Sequence, residues 1–417
     1  MKKNYIFSIC LLGCLFGKVY ANESHLEESM QNINTINKYP PNSSYETTLD
    51  TLSTNSTDSI SSTPFTNNTK DTLTTKTKKT GEKAINFINN LWKEFGFAID
   101  ARVDFQYQGT AKGDNDINFH VQSMKLRFDG HIIPQVRYFV KLRLTSSSPN
   151  HRDNSGEALN QAWIAIDLKK FTIKVGKQDL SFAAWEYDQN YADMYISSVV
   201  NDQIDGSGTG VTVNYSPFNQ SFGFQILNSS PVNFSNTKNS FAWTLNYTGS
   251  FDGGHWQPAI SYTFINNAIE KGLFFLTTGL KYKNEKWTAT LDYYYGNYIQ
   301  TTRLQSGKID TNITHYVSDQ SLALNIEYKF LPQWNVILKG TFDNRYDKIF
   351  KHVTFNRYSI SAAIEYYPFK KLPLQAHIAG YYRYYDYKYK PISDLIQDKS
   401  INEFSIFVGL RWLFQIK

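Results

Sequence analysis

This 417-residue chain has two cysteines, Cys10 and Cys14, and both lie close to its start. If that stretch is a removable leader, the mature protein has no thiol. Disulfides, cysteine nucleophiles and cysteine metal sites are then excluded. Long apolar runs are also missing: no stretch of about eighteen consecutive apolar residues occurs, so no transmembrane helix is expected. Charge of one sign is lacking too. Lys and Arg number 43 against 37 Asp and Glu, a net +6, and no basic patch sits in a recognisable nucleic-acid motif, so nucleic acid is not an expected partner. Histidine is sparse. The eight residues His25, His120, His131, His151, His255, His315, His352 and His377 are scattered, none spaced to bring a Ser or acidic partner alongside. No catalytic residue, metal site or cofactor is expected, and an enzyme is the disfavoured class.

What the chain has in abundance is aromatic residues. It carries 29 Tyr and 29 Phe, with 16% aromatic content overall, yet its mean hydropathy is −0.45. A soluble core does not need so much Tyr, and a helical membrane protein would not be this polar. From about residue 96 onward, segments of roughly ten residues alternate apolar and polar side chains, which is the pattern of a transmembrane β-barrel. Tight connections flanked by aromatics recur, as in Tyr215-Ser216-Pro217-Phe218, Tyr328-Lys329-Phe330-Leu331-Pro332 and Tyr366-Tyr367-Pro368-Phe369. Such turns suit strand pairs leaving the membrane through an aromatic belt.

Read strand by strand, the alternation predicts sixteen crossings, near 97–108, 118–130, 135–147, 158–167, 171–178, 208–216, 221–229, 240–250, 255–266, 273–282, 287–299, 319–330, 333–345, 355–367, 373–388 and 402–415. Short turns should follow the even strands and long loops the odd ones. The expected fold class is therefore all-β, an antiparallel transmembrane barrel over residues 96–417. Both termini fall on the short-turn, periplasmic side. A barrel of this size leaves an aqueous channel unless something narrows it. The longest connection, 179–207, is rich in apolar and aromatic residues for an exposed loop: Phe182, Trp185, Tyr187, Tyr191, Met194, Tyr195, Ile196, Val199 and Val200. It is expected to fold inward.

Ahead of the barrel, Lys2 and Lys3, the apolar stretch Tyr5 to Gly17 and Val19-Tyr20-Ala21 read as a secretory signal peptide over 1–21. Leu11-Leu12-Gly13-Cys14 is the competing reading, a lipidation site at Cys14. Residues 22–82 are rich in Ser, Thr and Asn without periodicity, and bury too little apolar surface to order, so a disordered segment is expected. Within it, Asp50-Thr51-Leu52, Asp58-Ser59-Ile60 and Asp71-Thr72-Leu73 look like bacterial O-glycosylation acceptors at Thr51, Ser59 and Thr72. Ile85, Ile88, Leu91, Trp92 and Phe95 have helical spacing, which predicts a short amphipathic helix over 83–95.

Parity assigns the charges. If Val136, Tyr138, Val140, Leu142 and Leu144 face lipid, then Arg137, Lys141 and Arg143 face the lumen; Lys125, Arg127, Lys174 and Arg102 follow by the same rule. A charge facing lipid at mid-membrane costs about 2–4 kcal/mol, which constrains the assignment. The result is a basic wall that attracts anions, with Asp100, Asp104 and Asp129 as potential neutralising neighbours.

The run Val175-Gly176-Lys177-Gln178-Asp179-Leu180-Ser181-Phe182, with Trp185-Glu186-Tyr187-Asp188 and Asp193-Met194-Tyr195, resembles the fifth strand and third loop of the phosphate-selective porin O and P family. Phe119-His120-Val121-Gln122-Ser123-Met124-Lys125-Leu126-Arg127-Phe128-Asp129-Gly130 is similar to that family's second strand. The resemblance implies a homotrimeric, sixteen-stranded outer-membrane channel whose third loop forms the constriction, here carrying Asp179, Trp185, Glu186, Asp188 and Asp193. Asp179 to Asp205 contains no Lys or Arg, whereas the family's phosphate-selective members carry arginines there. An acidic loop facing a basic wall resembles the transverse field of general diffusion porins. The expectation is passive passage of small hydrophilic solutes with weak anion preference. An unselective pore, or a barrel serving as adhesin or anchor, is the alternative. The expected partners are outer-membrane lipid, two further copies of the chain and small anions or other hydrophilic solutes.

Overall fold

The computed structural model describes residues 95–110, 115–144, 158–203, 207–228, 241–265, 273–306, 309–369, 372–388 and 402–416. The expected leader with Cys14, the Ser/Thr-rich segment with Thr51, Ser59 and Thr72, and nearly all of the expected helix over 83–95 lie outside the described residues.

Sixteen strands run in order: β1 (Gly96–Thr110), β2 (Asn115–Ile133), β3 (Val136–Arg143), β4 (Leu159–Leu168), β5 (Phe171–Asp179), β6 (Ser207–Tyr215), β7 (Gln220–Asn228) and β8 (Phe241–Gly249). They continue as β9 (Trp256–Ile265), β10 (Leu273–Lys283), β11 (Trp287–Ser306), β12 (Ile309–Leu331), β13 (Trp334–Asp347), β14 (His352–Tyr366), β15 (Leu374–Tyr387) and β16 (Asn402–Ile416). Each pairs antiparallel with its sequence neighbours. β1 closes the barrel against β16, from Phe97↔Ile416 to Thr110↔Glu403. Closure leaves no unpaired strand edge, which the bilayer demands of any β-structure. The count and order meet the sequence expectation.

The two rows of each strand have opposite environments. In β16 the outward row includes Ile406, Val408, Leu410 and Trp412, all exposed on the outer wall, while Ser405 and Phe407 are buried within. On the outer wall near the short turns, rings pair across strands: Phe171 with Tyr215 at 4.7 Å, Trp256 with Tyr282 at 4.8 Å, Trp287 with Tyr328 at 4.1 Å and Trp334 with Tyr366 at 4.5 Å. These cross-strand pairs form an aromatic belt at that end, where amphipathic rings favour the interface.

The structure differs from the sequence reading on the odd-numbered connections. A long loop was expected between the eleventh and twelfth strands, but the ladder continues through Ile299↔Tyr316 to Ser306↔Ile309. The sequence there is Thr-rich, with Ile313 and Val317, and β-branched residues keep a ribbon paired beyond the membrane. The β13–β14 connection is also tight: the backbone N–H groups of Ile349 and Phe350 donate to Asp347 Oδ1 at 2.8 and 3.0 Å.

Between β5 and β6 the chain enters the barrel. It forms α1 (Trp185–Asp188), a 3-10 turn at Tyr191–Asp193 and α2 (Val199–Gln203). Leu180, Phe182, Ala184 and Val200 pack with inward Leu227, Ala242, Ile265, Leu273, Phe275, Tyr294, Tyr298 and Val317. Tyr195 packs with Ile337, Ala363, Ala379 and Phe407. These two dry clusters, both inside the barrel, hold the loop against one side of the lumen.

Candidate functional site: the lumen and its inward loop

The loop is bound mainly through its backbone. Ser181 N donates to Gln225 Oε1 at 2.9 Å and Ala183 N to Ser261 Oγ at 3.0 Å. The first N–H groups of α1, those of Trp185 and Glu186, donate to the two carboxylate oxygens of Asp292 on β11, both at 2.9 Å. Ala184, which precedes α1, supplies no side-chain cap, so a carboxylate from the wall takes that role. Gly279 on β10 is needed for this approach: a Cβ there would come within 2.2 Å of Asp292 Oδ1 and 3.0 Å of the Trp185 ring.

From α1 the chain crosses the lumen. Asn190 reaches β1 and β2, donating to Asp100 Oδ2 at 2.5 Å and accepting from Lys125 Nζ at 3.2 Å. It then returns along β16, β15, β14 and β13. Tyr195 OH donates to Glu365 at 3.1 Å, Arg357 donates to the Ser197 carbonyl at 2.7 Å, and Val199 N donates to Asp343 at 2.8 Å. Asp292, Asp343 and Glu365 thus act as wall-mounted acceptors for the loop. These three acids went unremarked in the sequence, where nothing local marks them as loop-binding.

The loop's own acids are largely matched. Glu186 is buried and pairs with Lys339 Nζ at 2.8 Å; it also accepts from Ser198 N at 2.9 Å and Ser198 Oγ at 2.6 Å. The Lys339 pair and these two hydrogen bonds hold its carboxyl below the usual range, against the opposing effect of burial. Asp193 contacts Arg411, Asp202 lies 4.0 Å from Arg357, and Asp179 pairs with Lys141 at 3.5 Å while accepting from Gln161. Asp188, exposed in the lumen at the end of α1, is enclosed closely enough by protein that its carboxyl is raised to about 6, with nearby Lys281 acting in the opposite direction. The expected acidic loop is thus largely offset by wall cations at Asp179, Glu186, Asp193 and Asp202. Glu186 is a structural ion-pair partner, and Trp185 lies beneath Lys281, whose ammonium is 4.7 Å from the ring centroid.

Of the seven predicted wall cations, Arg102 is not pore-lining. It faces inward but is only 2% exposed, because the loop covers it: its guanidinium binds Asp104 and donates to the carbonyls of Ala192 and Met194 at 3.0 and 3.3 Å. Asp104 also pairs with buried His377 at 2.9 Å. The other six, Lys125, Arg127, Arg137, Lys141, Arg143 and Lys174, lie on β2, β3 and β5 and are half-buried, with part of each side chain open. Register sharpens this picture, because Lys125 sits directly opposite Arg143 and Arg127 directly opposite Lys141. Asp129 partners Arg127 at 3.0 Å and Asp167 partners Arg137 at 2.5 Å. Lys174 lies over the Trp163 ring at 4.8 Å. Lys339, Arg345, Arg357 and Arg411 on β13, β14 and β16 also face inward and went unremarked in the sequence. Each is engaged with the loop or a wall carboxylate.

The lumen is thus divided. Inward residues of β7–β15 such as Gln225, Thr244, Ser261, Thr277, Asp292, Ser321, Asp343 and His377 are buried, many of them beneath the loop, while the inward cations of β2, β3 and β5 stay partly open.

Residues 95–257 match the family described as phosphate-selective porin O and P. A comparison with curated protein sequences finds no match. Among solved structures, the chain is similar to the outer membrane channel DcaP of Acinetobacter baumannii: 11% identity, 77% of this chain and 97% of that one covered, TM-score 0.54. It is also similar to an anion-selective porin from Comamonas acidovorans (10% identity, 77% and 99% covered, TM-score 0.54) and to OmpF of Salmonella typhi (15%, 76% and 97%, 0.54). At these identities the likeness establishes the fold. The match to the porin family over residues 95–257, within a closed sixteen-stranded barrel narrowed by an inward loop, supports an outer-membrane diffusion channel with the porin fold.

Proposed function

We propose that the channel passes small hydrophilic solutes passively with a weak preference for anions. The observation that carries this reading is the pair of like-charged cross-strand neighbours, Lys125 opposite Arg143 and Arg127 opposite Lys141. Like charges facing each other across a ladder destabilise it, and Arg127 and Lys141 each have a carboxylate beside them, Asp129 and Asp179, that offsets part of this. A positive wall beside the pathway attracts anions and offsets part of their lost hydration. The loop opposes it weakly, because Glu186, Asp193 and Asp202 are matched by cations on β13, β14 and β16.

The test is the reversal potential of a single channel in a potassium chloride gradient. Wild type should favour chloride, and replacing Arg137, Lys141 and Arg143 together by Gln should shift the potential toward cation preference. A wild-type channel that prefers potassium removes the anion reading and leaves a general diffusion pore.

The short turns and both ends of the barrel lie on one side, which supports a periplasmic N-terminus. The family resemblance supports assembly as a homotrimer, to be checked by the mass of the detergent-solubilised particle.

A further inference from the structure

Two places on the lumenal wall combine aromatic rings with cations, one on each side of the loop. Toward the short turns, Phe139 on β3 and Trp163 on β4 are direct cross-strand partners on the inward row, stacked at 5.0 Å and 11°. Lys174 of β5 holds its ammonium 4.8 Å from the Trp163 ring, and Arg137 and Lys141 flank Phe139 on the same face of β3. Toward the opposite end, Phe355 of β14 meets Tyr385 and Tyr387 of β15 at 5.9 and 6.1 Å; Arg345 lies 5.0 Å from the Phe355 ring, and Arg383 lies over Tyr381 at 4.6 Å.

Packing does not account for the Phe139–Trp163 stack. Both rings are half-exposed, and neither belongs to the two buried clusters that hold the loop. The interior of a wide transmembrane barrel is polar and wet, so large rings facing it shed little water in the empty channel. Rings placed beside ammonium and guanidinium groups match a solute that is flat and apolar at one end and anionic at the other.

We propose that the lumen recognises small aromatic carboxylates, which rest the ring against Phe139 and Trp163 and the carboxylate against Lys174, with the Phe355–Tyr385–Tyr387 group as the station on the other side of the loop. This rests on the diffusion-channel reading above. The two stations lie on either side of the constriction, Phe139 two residues from Lys141, which meets Asp179, and Phe355 two residues from Arg357, which binds the loop at Ser197. A solute released from one station can therefore be caught by the other.

The test compares benzoate with cyclohexanecarboxylate, which has the same charge and similar size but no π face, as blockers of chloride current through single wild-type channels. Benzoate should block at a concentration lower by about threefold to tenfold, the size of one aromatic pair contact. Phe139→Leu with Trp163→Leu should bring benzoate close to cyclohexanecarboxylate while chloride still flows. If that double variant does not assemble, Phe139→Leu alone should reduce the difference. Equal block by the two acids in wild type overturns the proposal, as does a double variant that conducts and still prefers benzoate as wild type does. A preparation that inserts and passes no chloride is a different failure and falls on the channel reading instead.

Discussion

Glu186 and Lys339 show how one residue can look functional in sequence and be structural in the fold. Both side chains are almost fully buried, and removing one partner of a buried pair costs about 3–5 kcal/mol because the other charge is left uncompensated. Glu186→Gln should therefore loosen the loop near Ser198, seen as faster hydrogen exchange over residues 196–200 and noisier single-channel current. Glu186→Leu combined with Lys339→Met should be less damaging than either change alone. Asp188 behaves differently, since it is exposed to the lumen and its carboxyl is raised to about 6. Above that pH it is ionised and opposes the basic wall; below it the carboxyl is neutral and the wall acts with less opposition. Anion preference should rise as pH falls through about 6, and Asp188→Asn should hold the higher preference across the range. A reversal-potential series from pH 5 to pH 8 checks both statements.

At the scale of the element, the inward loop is a chain segment whose backbone is satisfied by the barrel wall. Its short helix α1 begins without a side-chain cap of its own and uses Asp292, and hydrogen bonds from backbone N–H to a carboxylate are stronger than neutral ones. The approach depends on the empty space above Gly279. Gly279→Val should push Trp185 and Asp292 apart, displace α1 and change the unitary conductance by more than the substitution of a side chain remote from the loop would. Barrel assembly should survive, because the strand pairing of β10 with β9 and β11 does not use that side chain. Unaltered conductance in an assembled Gly279→Val channel would show that α1 does not border the pathway.

At the scale of the whole molecule, the barrel is closed by β1 against β16, and the first residue of β1 is Gly96. Residues 22–82, Ser/Thr-rich and without periodicity, are expected to be unnecessary for that closure. Their deletion should leave heat-modifiable gel mobility unchanged, whereas a deletion that abolishes assembly would reveal a strand or plug within them. The outer surface is completed by the aromatic belt at the short-turn end, which anchors the barrel at the interface.

Much of this architecture was legible in the amino-acid sequence because the relevant forces are local. Alternation sets which face of a strand is apolar, turn residues end strands, and lipid penalises a misplaced charge, so sixteen crossings and the inward row Arg137, Lys141 and Arg143 could be read along the chain. The β11–β12 ribbon was misjudged because polar β-branched residues suit a paired ribbon as well as a loop. Parity also tells which face a residue occupies but not its cross-strand partner, so the opposition of Lys125 to Arg143 had to await the register. What only the tertiary structure decided is where the loop's charges go. Arg102 meets the carbonyl of Ala192 ninety residues away, and Tyr195 meets Glu365 at a separation of 170. Contacts at such distances leave no periodic trace in the chain. The barrel must close before a carboxylate on one strand can become the cap of a helix that begins 107 residues earlier.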